Sequence, residues 1–483
     1  MGEESLGLRS FKGVLWNVFG SVANQAMGFA MGIVLARMIA PESYGLIAMS
    51  MVVIGMTAML VDGGFTAALI QKKTPTEADY HTVFWFNLLV SITVYGGIYF
   101  AAPIIELFFE TTGLINVVQL LALNIIINGV TAVQRLQLIK KLDFKALNIM
   151  NTIATFLSGV IGVTMALLDY GVWALVAQQL SSSIFNSVFI IVYNRWMPAL
   201  LFSKKSFLEL WSFGSKLFAS SILNSIFTNI YPLIIGKLFT PALLAYYSRA
   251  DSYQKLLSQT LTSIVQRVSF PALVPLQDDN ERLKNAYRQM IRMVMLVNAP
   301  ALLGLMATAS PLIEFMITDK WLPTVPYLQW LCVAGLLYPL HAINLNVINV
   351  KGRSDIFLKL EIIKKGLVLI AIFAGLPWGV MGLVVASVMV GFVGYFLNTY
   401  YSIRLIGYTM KEQFWDIIPY LSLAAVMAIV VWGLSLLIVN SLGLLLLAQL
   451  IIGFGIYAGG CLIFKLNAWV QFRDLIGKVI GKG

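Results

Sequence analysis

Charge is what this sequence has least of. Asp, Glu, Lys and Arg supply 11% of its 483 residues, against roughly 25% in ordinary soluble domains. Hydrophobic residues supply 59%, and the mean hydropathy is +0.84. That balance excludes a soluble enzyme and a disordered chain. Cysteine is nearly absent: Cys332 and Cys461 lie in apolar runs without a CxxC partner, which excludes a disulfide framework and reads as packing. There is no catalytic triad, Gly-rich phosphate loop or cluster of metal ligands, so the chain reads as something other than an enzyme. The formal charge of +11 would suit nucleic acid, but the basic residues fall between long apolar runs, where they set membrane topology instead; no nucleic-acid partner is expected.

Apolar runs are what the chain has in abundance. A membrane-crossing helix needs about 20 mostly apolar residues. Fourteen such runs can be read, from 13–39 and 44–70 through 241–270 and 286–317 to 357–377, 379–403, 414–438 and 442–464. The fold class is therefore an all-α polytopic membrane protein with about 14 transmembrane helices. The first run is too long for a secretory signal peptide and lacks a small-residue cleavage site. When the runs alternate across a bilayer, 27 of the 33 basic residues fall on one side and 3 on the other, with 3 inside spans. This asymmetry puts both termini in the cytoplasm, with Lys73, Lys141 and Lys204 there too and Glu110 and Asn440 opposite. Connections are too short to hold a soluble domain, and Asp278, Asp279, Glu281, Arg282 and Lys284 read as a solvated cytoplasmic loop.

The chain also repeats itself. IVLARMIAPESYG at 33–45 matches LIIGKLFTPALLA at 233–245, with Arg37 on Lys237 and Pro41 on Pro241. PIIELFF at 103–109 matches PLIEFMI at 311–317; LDF at 142–144 falls on SDI at 354–356, and GVWALV at 171–176 on GVMGLV at 379–384. The offset divides the chain into a six-helix lobe over 1–200, a second over 201–405, and two additional helices with a cytoplasmic tail over 406–483. Six is even, so the copies run parallel, an arrangement found in transporters, with substrate expected between them.

Ionised side chains inside a bilayer cost at least about 2.5–3.5 kcal/mol each by insertion scales, so each marks a partner or a wet cavity. The second copy carries Lys216, Arg249, Asp251 and Lys255, with Lys364 and Lys365 near them; the deep charge of the first copy is Asp62, beside Gly63 and Gly64. A cationic second copy suits an anionic, phosphate-like substrate. A structural reading stands beside it, because Asp251 and Lys255 are i, i+4 and can pair. Asp62 is read either as a proton or sodium site, with Asp251 a second candidate for ion coupling, or as the cap of a kink at the glycine pair. Two polar stripes recur at helical spacing: Asn17, Ser21, Asn24 and Gln25, and Ser221, Asn224, Ser225 and Thr228. Asn24, Gln25, Asn224 and Ser225 would bond sugar hydroxyls in a cavity or else bond neighbouring helices. Pro232, Pro300 and Pro339 invite bends, and His341 with Asn344 reads as a satisfied buried histidine or a proton site.

The strings VLARMIAPESYGLIAMS (34–50), VDGGFTAALIQKK (61–73), LIIGKLFTPALLAYYSRAD (233–251), VSFPALVPLQDD (268–279), DKWLPTVPYLQWLCVAGLLYP (319–339) and KGRSDIFLK (351–359) resemble the polysaccharide-transport branch of the multidrug/oligosaccharidyl-lipid/polysaccharide exporter (MOP) superfamily, and WzxC-type flippases within it. The resemblance covers nearly the whole chain. It implies two six-helix lobes plus two helices, alternating access, and a substrate of oligosaccharide carried on undecaprenyl pyrophosphate in a bacterial inner membrane. Roles for Lys216, Arg249 and Lys255 at the pyrophosphate are implied in the same way. Other partners it implies are membrane lipids and polysaccharide polymerase or assembly proteins. No cofactor is implied beyond coupling to H+ or Na+. A drug antiporter of the same superfamily and a membrane glycosyltransferase or polymerase are the alternatives. The intramembrane cations argue against the first, and the lack of a large outer loop against the second.

Overall fold

The computed structural model describes residues 6–436 and 441–480, with side chains from Gly20 onward except at Leu217, Arg267, Val268 and from Leu475. Asn440 and the side chain of Asn17 lie outside the described residues. The helices in chain order are α1 (Leu6–Met38), α2 (Pro41–Asp62), α3 (Phe65–Gln71), α4 (Glu77–Phe109), α5 (Leu114–Lys140), α6 (Phe144–Leu167), α7 (Val172–Asn194) and α8 (Lys204–Leu238). They continue with α9 (Pro241–Leu273), α10 (Asn280–Ile317), α11 (Thr324–Val350), α12 (Ser354–Gly375), α13 (Gly379–Ile406), α14 (Met410–Leu434), α15 (Leu442–Ile463) and α16 (Asn467–Ile480). No strand occurs among the described residues.

Eleven stretches are long and apolar enough to cross a membrane, one of them running through both α12 and α13. Separating those two and adding α1 and α9 recovers the fourteen spans read from the sequence. Helix α9 falls short on composition, because Arg249, Asp251, Gln254, Lys255, Ser258 and Gln259 interrupt its apolar residues. The chain is a helical multi-pass membrane protein.

Local chemistry sets the helix ends. Thr76 with Asp79, and Thr409 with Glu412, form reciprocal capping boxes that start α4 and α14. Asp143 and Ser203 cap α6 and α8. Asp279 accepts from the amides of Glu281 and Arg282 and starts α10. The acidic segment read as a solvated loop is therefore a helix start: Glu281, Arg282 and Lys284 lie in the first turns of α10. At 38 residues and 1.5 Å per residue, α10 is about 57 Å long, well beyond a hydrocarbon core of about 30 Å, which lets its basic end project. Helices α8, α10 and α11 run on through Pro232, Pro300 and Pro339.

The run at 44–70 is not one helix. Gly63 and Gly64 adopt φ of +52° and +77° and separate α2 from α3. Left-handed backbone favours glycine. At Gly64 a β-carbon would also stand 2.3 Å from the carbonyl oxygen of Gly214, so the pair admits the backbone of α8. Lys140 then holds α3, its ammonium donating to the carbonyls of Leu69 and Lys72, each at 2.8 Å.

The chain forms two compact units, Met1–Ala245 and Tyr246–Gly483. In the first, α4 packs on α5, α5 on α7, α6 on α7 and α1 on α6. Within the second, α10 packs on α11, α11 on α13 and α12 on α13. These pairings correspond one to one under the sequence repeat, apart from α1 on α6. Helix α8 departs from the repeat: it packs on α2, α3 and α4, so the first unit extends past residue 200. The second unit adds α14 on α10, with α15 on both, and its core follows a stripe of Tyr287, Ile291, Met295, Ala299 and Leu303 at i, i+4 spacing along α10. One ionic cluster pins this core. Asp416 of α14, 4% exposed, accepts from Arg288 Nε at 2.7 Å, Arg292 Nη2 at 2.5 Å and the Tyr408 hydroxyl at 2.6 Å.

Candidate functional site

The polar residues singled out in the sequence fall in both units. Asn24, Gln25, Asp62, Lys216, Asn224 and Ser225 belong to the first; Arg249, Asp251 and Lys255 belong to the second.

In the second unit, α9 carries the charges. Arg249 is half-buried, its guanidinium 5.2 Å from the ring centre of Trp321 and 5.9 Å from that of Tyr253. Trp321 is fully buried in a short 3-10 turn, Asp319–Trp321, and takes Tyr246 edge-on at 5.9 Å. Aromatic faces attract a cation, and these two rings flank the guanidinium. Lys255 Nζ lies 2.6 Å from Asp251 Oδ2, so this pair forms as the i, i+4 spacing allowed. Lys364 pairs with Glu361 at 2.5 Å. His341 meets the Asn398 amide through Nδ1 at 3.1 Å, and Asn344 accepts from Ser402 at 2.8 Å and also from Tyr287.

In the first unit, the polar stripes divide. Asn24 Oδ1 accepts from Thr155 of α6 at 3.0 Å. Ser225 is buried, and its hydroxyl donates to the Gly55 carbonyl of α2 at 3.3 Å. These two join helices. Gln25, Asn224 and Lys216 are exposed, and Lys216 makes no ion pair among the described residues.

Asp62 ends α2, and its Oδ1 accepts from the Thr66 amide at 3.1 Å, capping the first turn of α3. The kink-cap role is thus filled by one oxygen. Asp62 also lines a cavity of about 210 Å³ among α2, α4 and α5, together with Asn87, Asn124 and Asn128. Gly129 lets α5 close on α4 beneath it: a β-carbon there would stand 2.0 Å from Ser91 Oγ. The three asparagines escaped the sequence reading. Asn124 and Asn128 are i, i+4 and share a helix face, a signal that was present; Asn87 stands alone in α4 and carried none. Asp416 was missed too, because its partners are brought to it by packing.

At the opposite end of α4, Lys237 lies 2.6 Å from Glu110, and this hydrogen bond holds the Glu110 carboxyl below its ordinary range.

The comparisons with known proteins agree with this architecture. The family described as "Polysaccharide biosynthesis protein" matches residues 34–326, more than half of the chain. The teichuronic acid biosynthesis protein TuaB of Bacillus subtilis is 26% identical over 434 residues, covering 88% of each chain. The lipopolysaccharide biosynthesis protein WzxC of Escherichia coli is 27% identical over 407 residues, 83% of this chain and 82% of its own. Among solved structures, lipid II flippase MurJ in an inward closed conformation superposes with a TM-score of 0.73 over 96% of this chain and all of its own, at 15% identity, a likeness of fold. The resemblance read from the sequence strings and the helix pairings lead to one family, and the chain belongs to it: it is a member of the polysaccharide biosynthesis protein family of membrane proteins.

Proposed function

We propose that this protein is a flippase that carries an oligosaccharide, linked to undecaprenyl pyrophosphate, across a bacterial inner membrane by alternating access, supplying surface polysaccharide synthesis. Both termini lie in the cytoplasm in this reading, and the two repeat lobes are the moving bodies, with α8 carried by the first. A polymerase or assembly protein is a fitting recipient of the product. Transport is driven by an ion gradient or by consumption of that product. The names of the relatives support the substrate class: teichuronic acid, lipopolysaccharide and lipid II are all glycan products or precursors.

The observation that carries the reading is Arg249. A guanidinium held against two rings on a membrane-length helix is desolvated on its faces, and its edge suits a phosphate. Lys255 neutralises Asp251 and adds less net charge, which favours a structural role for that pair over ion coupling at Asp251. Lys216, Gln25 and Asn224, exposed in the first unit, are the remaining contacts proposed for headgroup and sugar. Asn24 and Ser225, spent on helix–helix bonds, contribute through helix placement.

Charge-assisted hydrogen bonds from Arg249 to a pyrophosphate would be worth about 1.5–3 kcal/mol, or roughly ten- to a hundred-fold in affinity. Arg249→Ala should bind an undecaprenyl-pyrophosphate analogue that much more weakly and lose export, while inserting and accumulating normally. Arg249→Lys should keep part of both, since charge survives and the fork does not. Normal binding and export by Arg249→Ala would assign the residue to packing against Trp321 and remove the best support for an anionic substrate.

A further inference from the structure

We propose that the connection between α7 and α8 is an interfacial strap that binds anionic phospholipid, with Leu200 and Phe202 among the acyl chains and Arg195, Lys204 and Lys205 on the headgroups. Residues 195–205 read RWMPALLFSKK: five large apolar side chains, three basic ones and no acid. The strap is fastened to one face of α4. Trp196 donates from Nε1 to Glu77 at 3.0 Å and stacks on His81 with ring centres 5.1 Å apart. The Ala199 amide donates to His81 Nδ1 at 3.1 Å, and the Ala199 carbonyl accepts from Trp85 Nε1 at 2.7 Å. Glu77, His81 and Trp85 stand at i, i+4 and i+8 and share that face. Next to them, Thr82 Oγ1 accepts from the Ser203 amide at 2.9 Å. With these groups bonded to α4, the apolar side chains turn outward: Leu200 is 92% exposed, Met197 71% and Phe202 57%. The second copy of the repeat does the opposite. In the register that sets 142–144 on 354–356, Trp196 falls on Tyr408, which is fully buried. Arg195, Lys204 and Lys205 are exposed and make no ion pair among the described residues.

The depth of the strap follows from α4. That helix has 33 residues, so it is about 50 Å long and, when centred, passes a hydrocarbon core of about 30 Å by about 10 Å at each end. The strap is bonded over residues 77–85, which is the first 12 Å or so of the helix. It therefore lies at headgroup level, with its inner edge at the start of the acyl chains. Outward Leu and Phe side chains lose water there, and Trp rings favour that layer. Three unpaired cations with no acid among them match anionic headgroups. A protein partner would have to reach the same depth beside two membrane-length helices and offer a purely acidic rim. The inference needs α4 and α7 to cross the membrane and does not depend on what the protein carries.

The test places a fluorescent nitrobenzoxadiazole label on Leu200→Cys in the full-length protein. Cys332 and Cys461 are fully buried and should not take the label. The protein is reconstituted in phosphatidylcholine nanodiscs at low ionic strength. Increasing mole fractions of phosphatidylglycerol or of phosphatidylcholine are then added, each with a nitroxide near the carbonyl end of one chain. Both lipids should quench the label, while aqueous iodide should not. Each basic residue near an anionic surface is worth about fivefold, so phosphatidylglycerol should reach half-maximal quenching at a mole fraction tenfold lower or better. Arg195→Gln, Lys204→Gln and Lys205→Gln together should remove that preference and keep the quenching by phosphatidylcholine, a split that misfolding cannot imitate. Iodide quenching as efficient as that of the free dye would put the segment in water and overturn the strap. Equal half-points for the two lipids in the parent would overturn the anionic site. A label shielded from iodide and from both lipids would overturn it as well, since a protein surface would then cover the patch.

Discussion

Asp62 and Asp416 are both carboxylates on helices of a membrane protein, one in each compact unit, and their surroundings differ in supply. Asp416 receives two guanidinium groups and a phenol, with four hydrogen bonds from the arginines and one from Tyr408. Every lone pair it offers is used. Asp62 receives one backbone amide and lines a cavity with three asparagines, of which Asn87 has neither side-chain amide atom bonded. A saturated buried carboxylate works as a clamp; one that gives a single oxygen to a helix cap is held less firmly. The charge of the residue is the same, and only its neighbours separate a clamp from a cap.

The sharpest way to break that contrast is to remove each acid. Asp416→Ala should leave Arg288 and Arg292 facing each other without their anion. Removing one partner of a buried pair costs 3–5 kcal/mol, and the partial exposure of both arginines puts this case near the lower end, about 3 kcal/mol. The readouts are a large fall in melting temperature and in the amount of protein recovered from membranes. Gly64→Ala comes next. It combines left-handed backbone with contact against the Gly214 carbonyl, and should cost about 2 kcal/mol. Gly63→Ala meets only ring carbons at 3.2–3.3 Å and should cost about 1 kcal/mol. Thermal unfolding of the two variants side by side checks whether the α2–α3 break is set by the backbone approach of α8. Asp62→Asn should be milder still, under about 1 kcal/mol, because asparagine can still accept from the Thr66 amide. Asp62→Asn as damaging as Asp416→Ala would mean that both acids are clamps.

The smallest effect belongs to Glu110 and Lys237. Glu110 is held below its ordinary carboxylate range by the lysine, so whatever the pair adds is present above that range and is lost as pH falls through the lowered value. Both groups are solvent-accessible. Melting temperature measured from pH 7 to pH 5 should therefore coincide for the parent and Glu110→Gln.

Much of the fold was legible because membrane helices announce themselves locally. Apolar length alone gave α4, α5 and α11, and the Gly63–Gly64 pair pointed to the break after Asp62. The Asp251–Lys255 pair was readable from i, i+4 spacing. The sequence was less decisive where a local signal had two outcomes. Asp279, Glu281 and Arg282 are as suited to capping a helix as to a solvated loop, and the long reach of α10 decided it. Asn24 and Ser225 lie on polar faces that would serve a cavity equally well; the positions of Thr155 and the Gly55 carbonyl assigned them to helix contacts.

The sequence by itself determined that this chain lives in a membrane, that it is built of helices, that it repeats, and which family it belongs to. Those properties follow from composition, spacing and strings of residues, all of which are local. Tertiary structure alone decided which charges are satisfied by partners on other helices. A hydrogen bond between Arg288 and Asp416 joins residues 128 apart, and the silence around Asn87 is a statement about α2 and α5 rather than about its own helix. Whether a polar group in a membrane protein is a strut or a site depends on what packing delivers to within 3 Å of it, and beyond its own i, i+4 neighbours the pattern along one helix does not contain that information.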